Sequence, residues 1–334
     1  MRAIPNLAAR VKRIAVSHET ILLFIVMAEW LYFNSVGRHF GSLDNTFDIV
    51  RQTVEIGLLA LVMTPIILTG GIDLSLGSLL GLCAIAFGKL WRDAGLGIPS
   101  AIACTLAIGA LAGGLNSMLI TMLRLPPLIV TLGTYSLFRG LAEAITRGTD
   151  TFTNFPASFL FLGQERWHGM PAQFPIFLLV TIVVWLLVHR TTFGRCFRAI
   201  GFSPEGTRYA GIPVNRRLAL AYVMAGTVAA LAAITYTARL GQARADAGTG
   251  YELFAITAVV LGGTSIFGGI GSVHGTLLGV TAIAVLSNGL VHARQPREAA
   301  GVLTGLLLIA ALTLSVLLKK VVDIRSSRQT VVEH

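Results

Sequence analysis

The sequence predicts an all-α polytopic membrane protein of about ten transmembrane helices, and three observations carry that prediction. Hydrophobic residues make up 54% of the 334 and charged residues only 13%, where a soluble domain carries roughly 25% charged residues. Apolar windows of about 20 residues, the length that crosses a bilayer, recur along the whole chain. The charges gather between those windows, so the net charge of +10 reads as membrane orientation and not as nucleic-acid binding. The 36 glycines suit helices that pack closely in lipid.

Taken in order, the spans are expected near Ile21 to Val36, Thr53 to Thr69, Gly77 to Trp91, Ile98 to Leu123 and Pro127 to Ile145. Five more follow near Phe174 to Val188, Leu218 to Leu240, Leu253 to Ile266, Val273 to Val291 and Ala300 to Leu318. The third, sixth and eighth are short. No small-residue cleavage site follows the first apolar stretch, so it reads as a span and not a cleaved signal. Arg2, Arg10, Lys12 and Arg13 precede the first span, and Lys319, Lys320, Arg325 and Arg328 follow the last. The alternate loops are near neutral, Arg38 and Arg51 offsetting Asp44 and Asp48 and Arg92 offsetting Asp93. An even number of crossings with both termini cytoplasmic accounts for this asymmetry. Residues 1–334 therefore read as one transmembrane domain, with cytoplasmic segments over 1–18, 190–217 and 319–334.

The loop over 190–217 is the most informative stretch. Arg190, Arg195, Arg198, Arg208, Arg216 and Arg217 face a single acid, Glu205, for a net charge of +5. Within it Ser203 reads as a helix N-cap, Pro204 as the first helical residue and Glu205 as an acid placed at the positive end of the dipole. Gly211 and Pro213 read as the stop. The loop is either a topogenic positive segment or a docking element, and a capped helix bracketed by arginines favours docking.

Two glycine-rich breaks interrupt the apolar pattern, GGIDLSLGS between Thr69 and Leu79 and GGTSIFGGIGS between Leu261 and Val273. Irregular backbone at membrane depth is tolerated only where it is buried in protein or lines a wet cavity. Gly70, Gly71, Asp73, Ser75, Thr131, Gly133, Gly262 and Gly263 are thus candidates for a translocation path or the helix junctions beside it. For Asp73 and Ser75, capping of the third span is favoured over ligand contact. The second to fifth and seventh to tenth spans form two groups of four that start on opposite sides, as an inverted repeat requires.

Other residues are read more plainly. Arg139 and Glu143, spaced i, i+4, are expected to pair on one helix face. Glu55 is expected to reach the interface, and Glu29 has no evident partner. Gly109 and Gly113 form a small-xxx-small step for close packing, and Asn116 and Asn288 are expected to donate between helices. Cys83, Cys104 and Cys196 show neither metal spacing nor a disulfide pattern. No catalytic constellation and no phosphate-binding P-loop is present, so no enzymatic role, metal or cofactor is expected of this chain.

Four stretches together resemble one family. ILTGGIDLSLGSLLGLC (Ile67 to Cys83), GLNSMLITMLRLPPLIVTLGTYSLFRGLA (Gly114 to Ala142), RAIGFSPEGTRYAGIPV (Arg198 to Val214) and AITAVVLGGTSIFGGIGSVHGTLLG (Ala255 to Gly279) look like the permease subunits of bacterial ABC importers for simple sugars and autoinducer-2. The resemblance runs from the second span to the tenth. It implies that Gly201, Ser203, Pro204, Glu205, Arg208, Gly211 and Ile212 belong to a coupling helix that docks on a separate ATPase, which uses the ATP. It further implies a periplasmic sugar-binding protein, a homodimer or heterodimer with a second permease, and a place in the bacterial inner membrane. Gly206 stands where the family more often has alanine, and glycine weakens a helix interior by about 1 kcal/mol. His274 stands where the family usually has an apolar residue. FSPEGTRYAGIPV and ADAGTGYEL (Ala245 to Leu253) look most like rhamnose-type permeases, so rhamnose or a similar deoxyhexose or pentose is the expected substrate. GLCAIAFG (Gly81 to Gly88) resembles the autoinducer-2 type, which is the alternative. An ion-coupled secondary carrier is the rival from another class, distinguished by uptake that a protonophore abolishes and an ATPase does not affect.

Overall fold

The computed structural model describes residues 18–37, 39–148, 150–296, 299, 301–310 and 313. Its helices are α1 (His18–Val36), α2 (Leu43–Leu68), α3 (Leu76–Arg92), α4 (Ile98–Thr121), α5 (Pro127–Ile145), α6 (Ala157–Gln164) and α7 (Phe174–Arg190). They continue with α8 (Thr192–Phe202), α9 (Pro204–Tyr209), α10 (Val214–Leu240), α11 (Tyr251–Leu261), α12 (Val273–His292) and α13 (Gly301–Ala310). A two-stranded hairpin, β1 (Arg166–Trp167) and β2 (Met170–Pro171), turns through His168 and Gly169, both at positive φ. That pair of left-handed residues matches the twist of a tight hairpin.

Among the described residues six helices are long and apolar enough to cross a membrane, or seven if α7 and α8, bent by 66° to each other, count as one. The protein is thus all-α and polytopic. α3, α7 and α11 are short, at 17, 17 and 11 residues. The eighth expected span closes earlier than its apolar letters suggested, because the chain leaves the helix at Gly262 and Ile266 falls in the break. α2 starts ten residues before its expected span, where Ser42 accepts the Asn45 amide at 3.2 Å and starts a polar first turn. Much of the expected tenth span lies outside the described residues, as do Arg2, Arg10, Lys12, Arg13 and the basic carboxyl end.

α2 is the axis of the molecule. Its run from Leu58 to Leu68 is fully buried, wrapped by α7, α10, α11 and α12. α4 lies along α10 through small residues, Gly109 against the Gly226 carbonyl and Gly113 against the Tyr222 carbonyl, the close helix approach that the step predicted. Large apolar side chains on α1, α4, α5 and α7 (Phe24, Leu111, Ile129 and Leu179 among them) face outward, as lipid-facing surfaces do.

The two breaks are not equivalent within the two groups of four. The first joins α2 to α3, whereas the second joins α11 to α12. The counterpart of the first break is the segment between α10 and α11, residues 241–250. Each of these links a helix of 26 or 27 residues to a shorter one, and the two short helices meet at their starts. Gly77 in the first turn of α3 packs on the Gly248 carbonyl and the Glu252 carboxylate, with no room for a Cβ.

Candidate functional site

At the arginine-rich end, the polypeptide between α7 and α10 forms two short helices. Thr191 starts α8 by accepting the Phe193 amide at 3.1 Å, an element that the sequence reading left as loop. Ser203 then caps α9, its hydroxyl accepting the Gly206 amide at 3.0 Å, with Pro204 first in the helix and Glu205 in its first turn. Gly211 ends the turn at φ +79, and the Ile212 amide closes back on the Thr207 carbonyl at 3.2 Å. Pro204, Glu205, Arg208 and Gly211 are exposed. So are Phe202 and Tyr209, at 70% and 92%. Two bare aromatics, one ending α8 and the other ending α9, are an unusual surface, since large apolar groups normally turn inward.

Gly201 is the seat of this element. A Cβ there would overlap the Leu68 carbonyl on one side and the Gly269 amide on the other. Those two groups are hydrogen-bonded to each other at 2.9 Å. The end of α8 therefore rests directly on the backbone of both glycine-rich breaks. Arg198 ties the same corner, donating to the Val188 carbonyl at 3.1 Å and the Gly271 carbonyl at 3.5 Å.

Behind the seat, the first break is held by a buried polar chain. Asp73 Oδ1 accepts from the Ser75 amide at 2.9 Å and the Ser75 hydroxyl at 2.6 Å, and Asn116 of α4 donates to Ser75 Oγ at 2.9 Å. Thr131 of α5 donates to the Ile72 carbonyl at 3.0 Å. Asp73, Ser75, Asn116 and Thr131 are all at most 1% exposed. Ser75 stands at the N-cap yet its side chain caps nothing. Its hydroxyl is taken up by Asp73 and Asn116, so Asp73 orders the approach to α3. Removing the acceptor by Asp73→Ala is expected to destabilise the protein by about 2–3 kcal/mol, while Asp73→Asn, which keeps an acceptor oxygen, costs less than half of that. Thermal unfolding of the two purified variants checks the order.

Gly71, Gly262 and Gly263 sit in the junctions as expected. Gly71 packs on the Tyr222 hydroxyl, Gly262 on the Gly275 backbone and Gly263 on the His18 ring, and Gly70 turns the chain at φ +80. Gly133 does not join them; it lies on the exposed face of α5 with nothing within 4 Å. Its neighbour Thr131 points the opposite way, as residues two apart on a helix do.

Three further corrections concern polar partners. Arg139 does not pair with Glu143; it donates to the carbonyls of Ala245 and Ala247 in the segment before α11, and Glu143 is exposed. Two backbone acceptors pointing into the bundle outcompete a carboxylate that faces out. Glu55 does not reach an interface. It is fully buried and bonded to Arg239 Nε at 2.8 Å, a partner in another span that local spacing cannot reveal. Asn288 accepts from Asn45 at 3.0 Å instead of donating. The sequence reading also passed over Tyr222 and Glu252, each buried with a side-chain oxygen lacking a partner. Glu252 was visible within ADAGTGYEL as an acid beside a span, and Tyr222 carried no signal.

The arrangement suits mechanical linkage better than covalent chemistry. Among the described residues no three His, Cys, Asp or Glu side chains gather as a metal site. The sequence profile described as branched-chain amino acid transport system / permease component matches residues 45–312. The chain belongs to this family. Its members are membrane subunits of ATP-binding-cassette importers and are not themselves enzymes. The permease is similar to the autoinducer 2 import system permease protein LsrD of Escherichia coli K12 and of Shigella flexneri. It is 38% identical to each over 302 residues, covering 89% of this chain and 91% of each relative. No solved structure matches it. With six or more apolar helices, the permease is a multi-pass protein of the inner membrane.

Proposed function

We propose that this permease moves a small hydroxyl-rich solute inward, driven by ATP hydrolysed on a separate subunit that grips α8 and α9. In this reading the chain crosses the membrane ten times with both termini in the cytoplasm. The basic loop 190–217 faces the ATPase, and the hairpin end meets a solute-loaded periplasmic binding protein. The permease works as a homodimer or beside a second permease. No nucleotide or metal binds this chain. The names of its relatives favour autoinducer 2 as the solute over rhamnose, which rested on shorter motifs.

The single observation that carries the reading is the seat at Gly201. There the end of α8, with α9 directly behind it, packs on the backbone of both breaks of the helical bundle, and Arg198 and the Phe202 ring add side-chain contacts to the second. ATP-driven motion reaches the path only if the ATPase holds α9 differently in its two states. Copurification tests it. Replacing Phe202 and Tyr209 together by alanine removes two exposed anchors worth about 2 kcal/mol each. Copurifying ATPase is then expected to fall at least ~100-fold, with the permease still in the membrane at its normal level. Undiminished ATPase in that pull-down would remove the proposed grip. Reversing Glu205 and Arg208 together should separate ATP hydrolysis from uptake in the same system, and coupling unchanged from wild type would count against it.

A further inference from the structure

A cavity, ≈ 620 Å³ in volume, opens at the end of the bundle opposite Gly201, between α2, α11 and α12. Its lining runs from Asn45 to Ile56, eleven residues and so about 16 Å along α2. Its carboxylate and its arginine are both paired, and His292 at its wall is bonded to Asn45. Asp48 is paired with Arg51 at 2.9 Å, and Arg239 with Glu55 at 2.8 Å. What remains on the wall is neutral and able to hydrogen-bond. Gln52 and Ser287 line it, Gln52 exposed and Ser287 half-buried, and neither side chain has a hydrogen-bond partner among the described residues. Below them Tyr251 and Phe254, one turn apart on α11, present aromatic surface. A mostly apolar pocket with a few converging polar groups is the usual form of a small-molecule site.

We infer that this cavity is a docking site, within one chain, for a neutral polyhydroxylated solute. A charged ligand finds no free counter-charge there, and an aliphatic one leaves the amide and hydroxyl unmatched. A hydroxyl-rich ring satisfies both, with its C–H face on the aromatic floor. Tyr251 is the first residue of α11, the helix whose start abuts α3 at Gly77. Occupancy of the cavity therefore bears on the junction between the two short helices. The inference rests on the import reading for its solute class and for the outward direction of the mouth.

The test is protection of a cysteine on the cavity wall. Ser287→Cys is labelled in intact cells with an impermeant maleimide, alone and with millimolar L-rhamnose, D-xylose or synthetic autoinducer 2, and with gluconate as a charged control. Labelling from outside, slowed at least threefold by one or more of the neutral compounds and not by gluconate, is the expected result. Adding Gln52→Leu should abolish that protection without changing the amount of permease in the membrane. Labelling that no neutral compound slows, or that gluconate slows equally, overturns the site; so does a cysteine that labels only in inverted vesicles. Protection that persists although no ATPase copurifies would instead spare the site and remove the importer reading.

Discussion

A Gly201→Val permease is expected to insert normally and to import nothing measurable. The argument is geometric. The α carbon of Gly201 is wedged between the Leu68 carbonyl and the Gly269 amide, which are themselves joined at 2.9 Å. Neither obstacle is a side chain that can swing away. Overpacking of this kind typically costs 1–3 kcal/mol, and more where backbone must move. At about 3 kcal/mol the seated arrangement loses roughly two orders of magnitude in population. The spans themselves are untouched, so the effect should appear in uptake and in the response of ATP hydrolysis to loaded binding protein, not in expression. Gly201→Ala, which adds only the Cβ, should fall between the two. Wild-type uptake by the valine variant would show that the seat transmits nothing.

The largest expected loss of stability comes from the opposite end. Glu55 is fully buried, Arg239 retains 15% side-chain exposure, and they meet at 2.8 Å. Removing one charge by Arg239→Met strands the other in an apolar bundle. Such a change costs about 3–5 kcal/mol, which corresponds to a fall in Tm on the order of 10 °C for a domain of this size. Replacing both, Glu55→Leu with Arg239→Met, should recover most of that loss, because an apolar pair of similar volume avoids the desolvation of two ions. Thermal unfolding of the detergent-solubilised variants separates the cases. If the double variant is no more stable than Arg239→Met, the pair is not the source of the loss. Arg239 also lines the cavity that holds Ser287, so protection of Ser287→Cys by solute is expected to weaken in both variants.

What was legible in the letters follows from what is local. The helix start at Ser203 and its stop at Gly211 depend on residues within one turn, and both stand as read. The close step through Gly109 and Gly113 likewise needs only spacing along one helix. Arg139 shows the limit: an i, i+4 partner was at hand, but the winning acceptors lie over a hundred residues away. Arg239 shows the same limit from the other side, since nothing near it in sequence marks its bond to Glu55. The helix α8 was missed because arginines and glycines broke its apolar pattern, while its amphipathic fold over the two breaks supplies the burial of Phe197 and Ile200. The inverted repeat was expected from two groups of four spans that start on opposite sides, and by position in those groups the first break corresponds to residues 241–250.

That pairing has a mechanical result. Where the start of α3 meets the approach to α11, Gly77 faces the Gly248 carbonyl as well as the Glu252 carboxylate, so part of the contact is main chain that no rotamer change can relieve. The links behind the two rods are fastened sideways instead, Asp73 and Ser75 to Asn116 of α4 and Ala245 and Ala247 to Arg139 of α5, so a shift at this joint is felt in both neighbouring helices.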